Sequence, residues 1–184
     1  MNNKSMTDPT FLPATAMAEQ IRQKKFSPVD LVDAHLAKIE RLNPKLNAYV
    51  HVDADRAQRA ARDAEAALAS GKPLGPLHGV PISIKSSIDV AGLRCEAGTR
   101  LRAGFAPSHD APLVTRLKNA GAIVLGVTNT PELLMAWETD NLLYGRTNSP
   151  WNFQRTPGGS SGGEAAAIAA GMSAGGVVDR RIAS

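Results

Sequence analysis

Apolar and polar positions along this chain follow two different periods. In its first third, apolar side chains recur every three to four positions in three stretches, which is the spacing of amphipathic helices. These helices are predicted over 14–24, 28–44 and 53–69. The second has a clear start, because Ser27 supplies a capping side chain and is followed by a proline at the first helical position.

The middle of the chain changes to the period of a strand. Residues 80–85 alternate, with three β-branched side chains on one predicted face and Ser83 and Lys85 on the other. The run 122–127 is continuously apolar, which is typical of a strand buried on both faces. A helix is predicted over 112–120, between these two strands, so helices and strands alternate. This order predicts a layered α/β fold.

Regular elements become rare after the second strand. A short helix is predicted over 132–137, and residues 138–163 are expected to be mostly loop, which is long for a compact domain. Long loops of this kind often carry function, and we expect Asp140 to help frame a substrate pocket there. At the other end of the chain, the polar residues 1–10 are expected to be loose.

Composition narrows the classes of function. The formal charge of +4 is spread along the chain and only 4% of residues are aromatic, so no nucleic-acid groove or base-stacking surface is expected. The four histidines lack metal-ligand spacing, and neither a metal nor another cofactor is expected. The single cysteine, Cys95, excludes an intrachain disulfide and favours a reducing, cytoplasmic location. The N-terminal region has no long apolar run, so no membrane segment is expected.

The strongest chemical signal is the run 156–167, in which four glycines and two serines stand between Pro157 and an alanine-rich helix start. A phosphate-binding loop would require a lysine after the glycines, and this run has none. A flexible linker is a second interpretation, although the run is short and leads directly into a helix. The third interpretation is a catalytic serine loop, which requires a base from elsewhere in the chain.

Lys85 is the candidate base. It ends a predicted strand among apolar neighbours, where burial disfavours charge, so that its amine can release a proton and act as a general base. An ordinary solvated lysine at a strand end is the alternative interpretation. The strand pattern alone favours the solvated lysine.

Three segments taken together resemble the amidase signature family. They are the Gly-Val-Pro strand that ends in Lys85, the segment 128–132 and the Gly/Ser run 155–163, and they occur in the family's order. The resemblance extends from about Ser27 to Gly171, which is most of this chain but less than half of a typical member. It implies a three-layer α/β/α fold with a mixed central sheet, with residues 1–184 as one incomplete, truncated domain.

The resemblance also implies a Ser–cisSer–Lys triad. Lys85 matches the family's catalytic lysine, and Ser160 matches the bridging serine, which in the family follows a cis peptide bond. Gly159 and Ser161 would then contact the substrate, although Ser161 is also compatible with an ordinary loop serine. Glu164 stands where many family members have serine.

The end of the chain departs from the family pattern. Counted from Ser160, Ser184 falls at the position of the nucleophile, but residues 181–183 replace the glycines whose N–H groups would line an oxyanion hole. Asp179 stands one place early. A shift of reading frame near Val177 would account for both differences, and the DNA sequence past codon 184 tests that hypothesis. The alternative is that Ser184 matches the nucleophile position by accident.

These features predict an amidase-type hydrolase that cleaves a carboxamide through an acyl-enzyme, with this chain as an inactive truncated form. The expected partners are a small-molecule amide substrate and, at the level of assembly, a homodimer or an amidotransferase-type complex. A non-catalytic fragment or pseudoenzyme that only binds a partner is the alternative. The distorted ending of the chain supports that alternative.

Overall fold

The computed structural model describes residues 8–71 and 74–179, so the predicted nucleophile Ser184 lies outside the described residues. Five α-helices occur in the described part: α1 Ala14–Arg22, α2 Pro28–Leu46, α3 Ala54–Ala69, α4 Pro112–Asn119 and α5 Gly162–Ala169. Four strands lie among them: β1 Tyr49–Val52, β2 Pro81–Lys85, β3 Ile123–Thr128 and β4 Gly176–Val177. The predicted α/β class is confirmed.

The four strands form one mixed sheet in the order β1-β3-β2-β4. β1 runs antiparallel to β3, whereas β2 is parallel to both β3 and β4. Lys85 at the end of β2 pairs with Thr128 at the end of β3. The carboxyl ends of these two parallel strands therefore meet at one edge of the sheet, which is where α/β proteins place their ligands.

Apolar side chains cover both faces of the sheet. On β3, Ile123 and Leu125 belong to a buried cluster with residues of α2, α3 and α5. Val124 and Val127 belong to a second cluster with residues of α1 and α4. Successive strand side chains point to opposite faces, and the register shift between Ile82 and Ser83 adds one residue on β3, so Val124 and Val127 reach the same face. The sheet therefore lies between two layers of helix. This arrangement agrees with the predicted three-layer fold.

The start of α2 forms as its sequence predicts. Ser27 Oγ accepts the backbone N–H groups of Val29 at 3.0 Å and Asp30 at 3.4 Å, and Pro28 occupies the first turn. The end of the helix differs, since α2 continues through Pro44 to Leu46. Proline so close to the helix end removes few of the helix's backbone bonds, which explains why it does not stop the helix.

Two predicted segments are corrected. The predicted helix over 132–137 is wrong, because only Glu132–Leu134 form a single 3-10 turn in which Leu133 and Leu134 have positive φ of 48° and 67°. The part of the predicted loose N-terminus that is described is also structured. Pro9–Phe11 form a 3-10 turn, and Asp8 pairs with Lys38 of α2 at 2.8 Å.

Candidate active site

The site forms where β2 ends. Lys85 is completely buried, and its Nζ donates a hydrogen bond to Ser160 Oγ at 2.8 Å. The two residues come from segments 75 positions apart in the sequence. The structure therefore brings together the candidate base at the end of the predicted strand and the bridging serine that the family resemblance implies.

The loop that carries Ser160 is held by Thr139. The peptide bond between Gly159 and Ser160 is cis. Thr139 Oγ1 donates to the carbonyl of Gly158 at 2.9 Å and accepts the N–H of Gly162 at 3.0 Å. These two hydrogen bonds fix the loop on both sides of Ser160. Thr139 stands in no recognisable local pattern of the sequence, because its role depends on how the long loop folds back.

Gly159 is exposed and packs against the same returning loop. A β-carbon built on Gly159 would lie 2.9 Å from the carbonyl oxygen of Ala136 and 3.0 Å from the N–H nitrogen of Glu138. A larger residue at this position would push the two loop segments apart. Gly159 therefore allows the two loop segments to approach each other closely beside Ser160, and its predicted contact with substrate stays a prediction.

Asp179 forms the third side of the lysine site. Its Oδ1 lies 2.9 Å from Lys85 Nζ and accepts a hydrogen bond from Ser87 Oγ, also at 2.9 Å. Burial acts to raise the pKa of Asp179, but the hydrogen bonds from Lys85 and Ser87 outweigh it and hold the pKa below its usual value. The Lys85 amine thus faces polar partners, which corrects the expectation that its neighbours are apolar.

A second carboxyl group lies beneath the loop. Glu164, in the first turn of α5, is 2% exposed. Its carboxylate accepts hydrogen bonds from Ser83 Oγ and, at 2.8 Å, from Thr128 Oγ1. Burial raises the pKa of Glu164 to about 7, against the opposing effect of these hydrogen bonds and of the Lys85 charge.

The remaining predicted site residues are not drawn into this cluster in the same way. Ser161 is half-buried and precedes α5 as its N-cap residue, but its side chain makes no capping hydrogen bond. Asp140 is exposed, whereas its neighbours Thr139 and Asn141 are buried. The polar contacts of this stretch are made by those neighbours.

Asn129 organises the long loop that follows β3. It is completely buried, its Oδ1 accepts a hydrogen bond from Asn141 Nδ2 at 2.8 Å, and its Nδ2 donates to Thr147 Oγ1 at 3.1 Å. A buried side-chain amide whose oxygen and nitrogen are both hydrogen-bonded holds a loop in one conformation. The sequence offered two signals for Asn129, its place shortly after a predicted buried strand and its position within the segment 128–132 that resembles the family.

Over the ranges 8–71 and 74–179, the helices include none with the length and apolar character needed to cross a bilayer. The same residues bring no three His, Cys, Asp or Glu side chains together as a metal site.

A mixed α/β sheet that delivers a buried lysine to a serine on a glycine-rich loop defines a lysine–serine site, a variant of the serine–base arrangements used in nucleophilic catalysis. The family model named Amidase matches residues 30–177, most of the chain. The chain belongs to the amidase signature family, which confirms the resemblance found in the sequence.

Individual relatives agree with this assignment. Over 165 residues the chain is 41% identical to a glutamyl-tRNA(Gln) amidotransferase subunit of Salinispora arenicola (strain CNS-205), covering 90% of this chain and 34% of the relative. A solved bacterial aryl acylamidase of the amidase signature family superimposes with a TM-score of 0.82 at 31% identity, covering 89% of this chain and 34% of the other. A 6-aminohexanoate cyclic dimer hydrolase gives a TM-score of 0.80 at 34% identity, with 89% and 33% covered. The chain spans about a third of the length of the relatives it matches.

Proposed function

We propose that this chain carries the lysine–serine part of an amide-hydrolysing site, in which Lys85 and Ser160 transfer protons for a serine nucleophile. The observation that supports the proposal is the 2.8 Å hydrogen bond between Lys85 Nζ and Ser160 Oγ. A base in hydrogen-bond contact with a hydroxyl, itself positioned to reach a second hydroxyl, is the arrangement that activates a weak nucleophile.

The proposed reaction proceeds in two stages. Lys85, as the free amine, takes the proton of Ser160, and Ser160 takes the proton of the nucleophilic serine, whose oxygen attacks the amide carbon. The C–N bond then breaks, the leaving amine receives the proton, and water hydrolyses the acyl-enzyme to a carboxylate. The sequence position of Ser184 makes it the proposed nucleophile. Gly159, Ser161 and Asp140 are proposed to border the substrate.

The proposed substrate is a small-molecule carboxamide. Family membership supports this class, as does the solved relative described as an aryl acylamidase. The match to a subunit of an amidotransferase supports an amidotransferase-type complex as one proposed assembly, with a homodimer as the other. A cytoplasmic location stays a prediction from the single cysteine.

A second candidate function is that of a non-catalytic, partner-binding form. The contact of 2.9 Å between Lys85 Nζ and Asp179 Oδ1 favours it, because an adjacent carboxylate stabilises the ammonium form of lysine. An ammonium group has no lone pair and cannot act as a base. Under this alternative, the chain keeps the family's fold but not its chemistry.

The test is an assay of hydrolysis on simple aliphatic and aryl amides. The chain is assayed alone and also joined to the segment that follows the matching region in the amidotransferase relative. We expect the joined protein to hydrolyse amides, and Lys85→Ala and Ser160→Ala each to reduce the rate on the order of a thousandfold. Lys45→Ala, at an exposed helical position, is the matched control and should leave the rate unchanged.

The outcomes separate the two candidates. Hydrolysis by the chain alone would exclude the non-catalytic form. Hydrolysis by the joined protein only, lost with Lys85→Ala, supports the proposed site and shows that this chain needs the joined segment for activity. A joined protein that folds and yet hydrolyses no amide, or that keeps its rate without Lys85, would overturn the proposal.

A further inference from the structure

The buried carboxyl group of Glu164 contacts both strands that end at the lysine–serine site. Glu164 lies four residues after Ser160, in the first turn of α5. Its Oε1 accepts from Ser83 on β2, and its Oε2 accepts from Thr128 on β3. One carboxyl group thus joins the helix that follows the serine loop to both strands that end at the site.

The register of the sheet places these contacts beside Lys85. Ser83 stands two residues before Lys85 and therefore on the same face of β2. Thr128 is the residue that pairs with Lys85 across the parallel ladder. Both donors to Glu164 are consequently immediate neighbours of the lysine, one along its strand and one across from it.

The sheet edge is shaped to hold this group. Gly176 of β4 pairs with Ser83, and a β-carbon built on Gly176 would lie only 1.4 Å from Glu164 Oε1. Any side chain at position 176 would therefore displace the carboxyl group. The carboxyl group is thus surrounded by the hydroxyl donors Ser83 and Thr128 and by the glycine at position 176. Packing a helix onto a sheet does not require such an arrangement.

We propose that Glu164 is a positioning residue of the lysine–serine site. It fixes the serine loop to the strand ends, and its charge state changes the electrostatic environment of the Lys85 amine. The consequence for catalysis rests on the proposed function, whereas the coupling between the two side chains does not. Glu164 touches no reacting atom in this arrangement and acts through Lys85 and the loop.

The charges around Glu164 decide the direction of the effect. Among the described residues, the titratable groups facing it are Lys85 from β2 and Tyr49 from β1, and Asp179 follows β4 on the other side of Lys85. Burial raises the pKa of Glu164 to about 7. Near neutral pH, Lys85 thus interacts with the carboxylate of Asp179 alone when Glu164 is protonated, and with both carboxylates when Glu164 is ionised. An ionised Glu164 strengthens the attraction for an ammonium group at position 85.

The coupling can be measured without any hydrolysis. The full chain is prepared with 13C-labelled lysine, and the Cε resonance of Lys85 is identified by its loss in Lys85→Arg. We expect this resonance to show a step in chemical shift near pH 7 in the wild-type chain and to lose that step in Glu164→Gln. Glu40→Gln, at an exposed position on α2, is the matched control and should keep the step.

A second variant keeps the test decisive if Glu164→Gln fails to fold. Ser83→Ala removes one hydrogen bond that favours the carboxylate but leaves Glu164 able to titrate, so the step should remain and move to higher pH. A wild-type resonance without a step, or a step that persists in Glu164→Gln or stays at the same pH in Ser83→Ala, would overturn the inference.

The result is also distinguishable from failure of the proposed function. If the step is present and amides are not hydrolysed, only the hydrolase proposal fails. If amides are hydrolysed and Lys85 does not respond to Glu164, only the positioning role fails.

Discussion

Gly163 lies directly on the backbone of Asn129. A β-carbon built on Gly163 would be 2.5 Å from the Asn129 nitrogen and 2.6 Å from its carbonyl oxygen. That nitrogen donates to the carbonyl of Ala48 at 2.8 Å, so the glycine packs against a hydrogen bond that joins two segments. The last glycine of the Gly/Ser run therefore seats α5 on the segment that leaves β3.

Replacing this glycine tests the contact. Gly163 is helical, so by helix propensity alone Gly163→Ala would stabilise the chain by about 1 kcal/mol. We expect the opposite sign, a loss of about 2 kcal/mol in the free energy of unfolding, because the methyl group meets rigid backbone. Urea denaturation measures the difference.

Gly175→Ala serves as the control for this substitution. A β-carbon there meets nothing within 4 Å, so the unfolding free energy should stay within about 0.5 kcal/mol of wild type. Stabilisation by Gly163→Ala would show that α5 does not rest on Asn129.

The pair of Lys85 and Asp179 predicts an acid-sensitive contribution to stability. The native pKa of Asp179 is lowered from 3.8, the value in the unfolded chain. Between the native pKa and 3.8, the unfolded chain therefore binds more protons than the native chain. The stabilisation is present above about pH 4 and is lost as pH falls through the native value. Asp179→Asn should therefore cost about 1 kcal/mol at pH 6, since the pair is partly screened, and nothing below the native value.

Urea unfolding of both forms between pH 2 and pH 6 measures this difference. Asp55→Asn, an exposed position in the first turn of α3, controls for a general change in net charge. Equal losses at pH 6 and at acid pH would contradict an ionic origin.

Glu164 predicts a dependence on pH of the opposite sign. Its native pKa is raised from 4.5 to about 7, so the native chain binds more protons between these values. Its contribution to stability is full below about pH 4.5 and is lost as pH rises to about 7, by at most roughly 3 kcal/mol. Glu164→Gln should remove this decline.

The measurement compares the unfolding free energies of wild type and Glu164→Gln at pH 5 and pH 8. We expect a larger decrease across this interval in wild type than in the variant. Parallel pH profiles would mean that the carboxyl group stays ionised throughout and that burial is weaker than its 2% exposure indicates.

The sequence predicted those parts of the fold that repeat a pattern. β3 was identifiable from the continuously apolar run 122–127, and α2 from its apolar stripe and the cap at Ser27. β1 was not predicted, because four residues with only Tyr49 fully buried give no usable period. β4 has two residues and exists only through its pairing with β2.

The same division holds for the site. Lys85 and Ser160 could be selected because the strand and the Gly/Ser run that carry them resemble segments of the amidase signature family in the same order. Neither local pattern alone decided their roles. Thr139 and the contact of Asp179 with the lysine arise only when distant loop segments meet, and no local period records such a meeting. Asp140 was selected for its chemistry, but in the folded loop the buried positions fall on either side of it.

Thr139 gives the prediction that most directly tests the loop. Its hydroxyl joins Gly158 to Gly162 through two hydrogen bonds, and Thr139→Val keeps the shape while removing both. A half-buried carbonyl and a buried N–H then lack partners, so we expect a loss of about 2 kcal/mol in the free energy of unfolding. Because these bonds flank Ser160, the hydrogen bond from Lys85 should also weaken, and the Lys85 Cε resonance should shift. Thr115→Val, at an exposed position on α4, should change neither quantity, whereas an unchanged resonance in a destabilised Thr139→Val would show that the loop holds Ser160 without Thr139.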